Sequence, residues 1–434
     1  MGDPLENSAK CIHFLEIAAA HLSPEENLAV WAARRNDLAI AWTTEPGSDF
    51  AAATERRIAN HVETLARLNP DQDSGVRSAF IQTCMNLSEA YGFRVAGAAA
   101  ENQAAAVHYA RLGVESLTED VLPDVRAQAL LALGRALMNQ KAGQKNGGEK
   151  TRLHEALDRF RQAGSLFDWN LLPVLASTVE RFEVMVYAAL AGLGEIDRLE
   201  DLTAAATSSY NRLVSSGDQS GRRTVMLAAA EALIAAGQFD RAIPCLQKAV
   251  DAGEAMLTQA TSREGRLERI WELHDSWALL AYCQLESGLI PDAVLALDRG
   301  KARLWQTATN HATAEQIRTL VPKDGALLFP VLAGPRGAIA IATEAGWDVV
   351  WLENLGKAEL RGLVFGDGTI PTPENLTELT GWVFLYATRH INAARWKEQI
   401  ESIGDLLYRE LWKPLQERLE KLGVARQVEL VWFP

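Results

Sequence analysis

"TVMLAAAEALIAAGQFDRAIPCLQKAV" (Thr224–Val250) reads as two apolar-faced helices joined by a tight turn at Gly237. A second stretch, "DSWALLAYCQLESGLIPDAVLALDRGKA" (Asp275–Ala302), repeats its pattern. Aligned, Gly237 falls on Gly288, Phe239 on Ile290, Ala242 on Ala293, Leu246 on Leu297 and Ala249 on Gly300. Packing explains the recurrence. Small residues such as Ala230, Ala242 and Ala249 let two antiparallel helices approach, while Leu246 or Leu297 fills the space beside them. A third copy lies in "ALLALGRALMNQ" followed by "HEALDRFRQA", where Leu133 and Gly134, then Ala156, Phe160 and Ala163, take the same places. Fainter copies occupy Trp31–Ala59, Leu87–Gly113 and Tyr187–Leu213.

This pattern resembles the tetratricopeptide repeat. It predicts an α-solenoid of about six helical pairs over residues 20–307, preceded by an N-terminal extension, residues 1–19. The step from Gly237 to Gly288 exceeds the usual period of about 34 residues, so lengthened helices and an irregular superhelix are expected. The alternative is a plain helical bundle. "KAGQKNGGEK" (Lys141–Lys150), rich in Gly and Lys, is expected to be a mobile loop between two of the helices.

After Ala308 the pattern changes. Short strands are expected at Ala326–Leu332, Ala338–Thr343 and Asp348–Leu352, punctuated by Asp324-Gly325, Gly334-Pro335 and Ala345-Gly346. A helix at Lys357–Val364, the loop "GDGTIPTP", helices at about Glu374–Ala394 and Glu398–Leu422, and the strand "VELVWFP" (Val428–Pro434) complete the reading. The order of helical repeats, "LVPKDGALLFPVL", "VVWLENL", "IGDLLYRELWKPLQERL" and "VELVWFP" resembles a TPR-CHAT protein, whose CHAT domain is a caspase-like protease module related to separase. The fold expectation is therefore mainly α: a tetratricopeptide-like α-solenoid followed by a partial α/β caspase-like module over residues 308–434. The resemblance implies that this is the early, noncatalytic part of that module. It also implies that the partners of the terminal strand, and the catalytic His and Cys, lie outside this chain.

Composition bounds the rest. With 434 residues, 48% of them apolar and 23% charged, the chain has material for more than one core. A formal charge of -13 argues against a nonspecific grip on nucleic acid or an anionic membrane. Cys11, Cys84, Cys245 and Cys283 are widely spaced with no CxxC, which suits a reducing compartment. No signal peptide is evident in "MGDPLENSAK", and Ala326–Thr343 is interrupted by Pro330, Pro335 and Arg336, so it cannot span a membrane. A cytoplasmic location is expected.

No catalytic dyad, metal set or cofactor loop emerges. All four cysteines fall in the repeats, where small apolar packing is their simplest role. Cys11-Ile12-His13 lacks further ligands, and "GDGTIPTP" lacks the Lys-Ser/Thr of a phosphate loop. Binding is the more informative class. In tetratricopeptide arrays the first helix of each pair lines a concave groove. The resemblance places Gln128, Arg135 and Asn139, then Thr224 and Glu231, then Asp275, Tyr282 and Glu286 on that face. Their mixed sign is unlike a Lys/Arg clamp for acidic tails. The expected function is a protein-binding and regulatory scaffold, inactive as it stands, belonging to a caspase-like cysteine peptidase. The architecture implies a role in prokaryotic defence, with an RNA-guided effector complex as a partner. A self-contained tetratricopeptide adaptor and a ligand-sensing regulator are the alternatives.

Overall fold

A computed structural model describes residues 4–44, 49–140, 147–166, 173–259, 263–305, 313–366, 381–387, 390, 393–424 and 430–432. The chain divides into two compact units, Met1–Gly221 and Arg222–Pro434.

The first unit is helical throughout its described length. It contains α1 (Pro4–His21), α2 (Leu28–Thr44), α3 (Phe50–Leu65), α4 (Ser74–Phe93), α5 (Ala99–Glu115), α6 (Pro123–Asn139), α7 (Gly147–Leu166), α8 (Pro173–Gly192) and α9 (Leu199–Ser216). Local chemistry sets several ends. Asp49 accepts hydrogen bonds from the Ala51 and Ala52 amides to start α3, Asp73 accepts from Val76 to start α4, and Pro123 opens α6. Each helix packs on the next, and α2 also touches α4, α4 touches α6, and α6 touches α8. The even-numbered helices therefore form one layer, and α3, α5 and α7 each pack on the two members that flank them in the chain, as stacked helical hairpins do. Residues 1–19, read as an extension, lie largely in α1, whose Ile12 is buried with Leu38, Ala39 and Trp42 of α2. Of the expected loop Lys141–Lys150, residues 141–146 lie outside the described residues, and Gly147–Lys150 form the first turn of α7.

Gly134 shows why the repeat needs a small residue. A Cβ there would lie 2.5 Å from the Phe160 ring, which is fully buried on α7 beside Ala156 and Ala163. Gly134→Ala is therefore expected to destabilise the first unit by about 1–3 kcal/mol through overpacking, despite the better helix propensity of Ala. A urea melt checks this; an unchanged midpoint would mean that α6 and α7 separate at no cost.

The second unit continues with α10 (Gln219–Ala235), α11 (Phe239–Gln259), α12 (Arg263–Glu286) and α13 (Ile290–Trp305). At the turn after α10, Gly237 has φ +70°, and the Gln238 amide donates to Leu233 O at 2.8 Å. The turn after α12 repeats this, with Gly288 at φ +75° and the Leu289 amide donating to Gln284 O at 2.7 Å. Both are the left-handed helix stop that glycine favours. Gly300 faces Trp277, its missing Cβ 2.9 Å from that side chain.

After a short α14 (Ala314–Arg318) comes a sheet of β1 (Ala326–Val331), β2 (Gly337–Thr343), β3 (Gly346–Leu352) and β4 (Leu430–Trp432), in the order β3-β2-β1-β4. The first three strands form an antiparallel meander, and β4 runs parallel to β1, with Leu327 opposite Val431. This corrects the expectation that the terminal strand finds its sheet outside the chain. It is returned to β1 by α15 (Lys357–Phe365), α16 (Trp382–Ala387), α17 (Ala393–Leu407) and α18 (Lys413–Lys421). β1 and β2 read as unbroken apolar runs because both faces are covered. Leu328, Ile339, Ile341 and Val350 pack with Leu415 and Leu419 of α18, while α12 and α13 contact the sheet from the repeats.

Two helix expectations need revision. Within Glu374–Ala394, residues 374–380, 388–389 and 391–392 lie outside the described residues; α16 stops at Ala387, and His390 stands exposed in a turn. The helix Glu398–Leu422 contains a π segment, Tyr408–Trp412, between α17 and α18. Pro414 follows at once, and its ring cannot sit against the carbonyl four residues back in a regular helix, so the widened turn absorbs it.

Candidate functional site

Three of the residues read as groove positions come together in the first unit. Gln128, Arg135 and Asn139 of α6 line a groove of about 490 Å³ with Gln82, Asn86, Glu89 and Phe93 of α4, Gln103 of α5 and Leu175 of α8. Its apolar lining includes Met85, Leu131 and Ala132. The groove lies on the layer of even-numbered helices.

The charges in this groove are arranged as a chain. Glu89 sits between two arginines: the buried Arg57 of α3 donates from Nη2 to its Oε2 at 2.6 Å, and Arg135 Nη2 stands 4.0 Å from its Oε1. The latter separation is too long for a hydrogen bond. Arg135 is held instead by the ring of Phe182, 5.6 Å from its guanidinium carbon, and that ring stacks on Phe160. Gln82 donates to Asn86 Oδ1 at 3.3 Å, whereas Asn86 Nδ2 is buried without a hydrogen-bond acceptor among the described residues.

The remaining groove positions lie in the second unit, and those on α12 have occupants from the same chain. On α12, Tyr282 is buried and donates its hydroxyl to Glu286 Oε1 at 2.6 Å. Arg336, in the β1–β2 turn, donates to Glu286 from Nε at 3.1 Å and Nη2 at 3.0 Å, and its guanidinium lies 4.0 Å from the Trp351 ring centre. Burial pushes the Tyr282 phenol up, and the bond to Glu286 adds to this; the Glu286 bonds raise the Arg336 guanidinium further. Gly334 of the same turn lies so close to the Tyr282 ring that a Cβ would come within 2.3 Å. Asp275 is 3.6 Å from Lys357 at the start of α15, both largely exposed. Glu231, on α10 with Thr224, lies in the field of Lys357 and Arg223. The face expected to meet a partner thus carries the sheet module along α12.

Sequence reading missed Gln82, Asn86, Glu89 and Phe93. A signal existed: Gln82, Glu89 and Phe93 have the same i, i+7, i+11 spacing as Gln128, Arg135 and Asn139 and as Asp275, Tyr282 and Glu286. The left-handed turn glycine after that helix, Gly97, lies four residues beyond the helix end rather than two as at Gly237 and Gly288, so it does not mark the same register.

Three of the four cysteines are held as thiols by their surroundings. Burial pushes Cys84 and Cys283 up to about 12 and raises Cys245, which disfavours thiolate at neutral pH. No group of three or more His, Cys, Asp or Glu among the described residues could hold a metal ion, and no described helix is long and apolar enough to cross a membrane.

No family model matches the chain. No curated protein matches it. Among solved structures it is similar to the nuclear import adaptor Nro1 of S. pombe, at 13% identity, covering 70% of this chain and 96% of that one, with a TM-score of 0.38. A likeness of this degree decides nothing about activity.

Proposed function

We infer that this chain is a protein-binding scaffold whose groove on α4, α6 and α8 receives a polypeptide segment. The observation that carries this reading is the groove's lining. It combines an apolar floor with the amides of Gln82, Gln128 and Asn139 and the guanidinium of Arg135. Donors of this kind call for acceptors spaced along the groove, and an extended backbone, with a carbonyl every residue, supplies them.

A photocrosslinking residue in place of Gln128 tests this in cells. The expected result is a crosslinked polypeptide lost on Gly92→Trp. Gly92 lines the groove, and a Cβ there meets nothing within 4 Å, so the indole fills the groove without straining α4. Crosslinks unaffected by Gly92→Trp would overturn the assignment.

The narrower form of this proposal is that the scaffold serves a TPR-CHAT caspase-like cysteine peptidase in prokaryotic defence, with an RNA-guided effector complex as its partner. The element order supports it: helical hairpins, then an antiparallel meander, then a long helix leading into a strand. Cysteine-dependent peptide hydrolysis by the purified chain would sink the inactive-scaffold form. The adaptor reading shares the groove and differs in having no protease to serve.

A further inference from the structure

We propose that the segment received by the groove is acidic, carrying an Asp or Glu side chain whose carboxylate is bound by Arg135. This rests on the scaffold reading and deepens it by naming the ligand's chemistry. Arg135 is the starting point. Glu89 commits one oxygen to Arg57 and stands beyond hydrogen-bond reach of Arg135, so one carboxylate is shared by two guanidiniums. Stacking near Phe182 restrains the guanidinium without using any of its N–H donors. It is therefore prepared to take a second carboxylate through a two-point fork. Gln128 and Asn139 of the same helix line the groove on either side of Arg135. A lysine or arginine on the ligand would meet Arg135 as a like charge, with Glu89 already paired.

The second unit supplies an internal precedent for reading a segment with this stripe. On α12 the i, i+7, i+11 positions are Asp275, Tyr282 and Glu286. Their occupants are Lys357, the Gly334 backbone and the Arg336 fork, so two carboxylates take two cations around a close glycine contact. On α6 the same positions are Gln128, Arg135 and Asn139, and on α4 they are Gln82, Glu89 and Phe93. The α6 stripe instead has a cation at its centre, where α12 has Tyr282, and amides at its ends, where α12 has carboxylates. The complementary segment then carries its carboxylate opposite Arg135, with main-chain carbonyls facing the amides. Because the chain as a whole has a formal charge of -13, this selectivity must arise at contact rather than from long-range attraction.

Degenerate peptide libraries test the proposal on the full chain. Each library fixes its central residue as Asp, Glu, phosphoserine, Lys or Ala, and all have amidated C-termini so that tail capture cannot contribute. The expected result is retention of the Asp and Glu libraries at least about tenfold above Lys and Ala, as an ion-assisted fork bond implies. Arg135→Ala should abolish that preference and Arg135→Glu reverse it, while Gly92→Trp should remove retention of every library. Preference for Lys, or none, with retention still lost on Gly92→Trp, would overturn the acidic ligand and leave the groove as a binding site. Preference for phosphoserine over Asp and Glu would replace the proposed ligand with a phosphopeptide. Equal retention by wild type and Gly92→Trp would overturn both readings.

Discussion

Arg336→Met is expected to lower the stability of the Arg222–Pro434 unit by about 3 kcal/mol. The substitution keeps an apolar stem against Trp351 but removes both donors from Glu286, whose side chain is only 10% exposed. Breaking a buried pair from one side costs about 3–5 kcal/mol, because the abandoned charge stays desolvated. Arg336 itself is about a third exposed, which places the effect at the lower end, and its second bond, to the exposed Glu353, adds little. Tyr282 cannot compensate, since it can supply only the single hydroxyl already in use. In a unit of about this size the loss corresponds to a fall in Tm of roughly 6–12 °C. Glu286→Gln in the Arg336→Met background should restore much of it, because no charge then remains buried. A single-variant loss below about 0.5 kcal/mol would mean that the pair is solvent-shared and does not fasten the sheet to α12.

This contact also shows what the sequence could and could not reveal. The helical pairs were legible because a close helix approach demands small residues at fixed spacing, and Gly134 beneath Phe160 and Gly300 beneath Trp277 meet that demand. The three meander strands were legible because glycine and proline mark their ends. The repeat resemblance identifies which residues share the groove face, so Gln128, Arg135 and Asn139 could be grouped from the sequence. It does not identify what lies against that face. Glu286 was assigned to an external partner because nothing local in the sequence connects it to Arg336, fifty residues later in the chain. The parallel pairing of β4 with β1 was hidden for the same reason: the strands are separated by four helices, and parallel register has no local turn signature.

His61 should give the first unit an acid-sensitive term well above the ordinary carboxylate range, opposed by Glu183, whose carboxyl burial raises to about 7 and whose protonation in the folded chain favours folding over the same interval. His61, on α3, is fully buried, and neither ring nitrogen has a hydrogen-bond partner among the described residues. Burial first, then the nearby charges of Arg57 and Arg35, lowers its pKa to about 3. The folded chain therefore holds the neutral ring, while the unfolded chain takes up a proton near pH 6.5. The resulting stability is present in full above pH 6.5 and is lost as pH falls toward 3. Linkage gives His61 alone a loss of about 2 kcal/mol between pH 7.5 and pH 5 and about 3 kcal/mol by pH 4, so the comparison with a variant lacking it, rather than the wild-type melt by itself, reads the effect. Glu55 and Asp120, both lowered by hydrogen bonds to neighbouring side chains, contribute stability that persists until pH falls below their ordinary values, so their loss begins later. Urea melts of wild type and His61→Leu at pH 7.5 and pH 5 isolate the effect: the variant should lose about 2 kcal/mol less than wild type across that interval. A parallel decline in both proteins would exclude His61. Arg57 links this residue to the groove, since the guanidinium that helps keep His61 neutral also anchors Glu89. Protonation of His61 places a third positive charge beside Arg57 and Arg35, and unfolding of α3 against α4 relieves it.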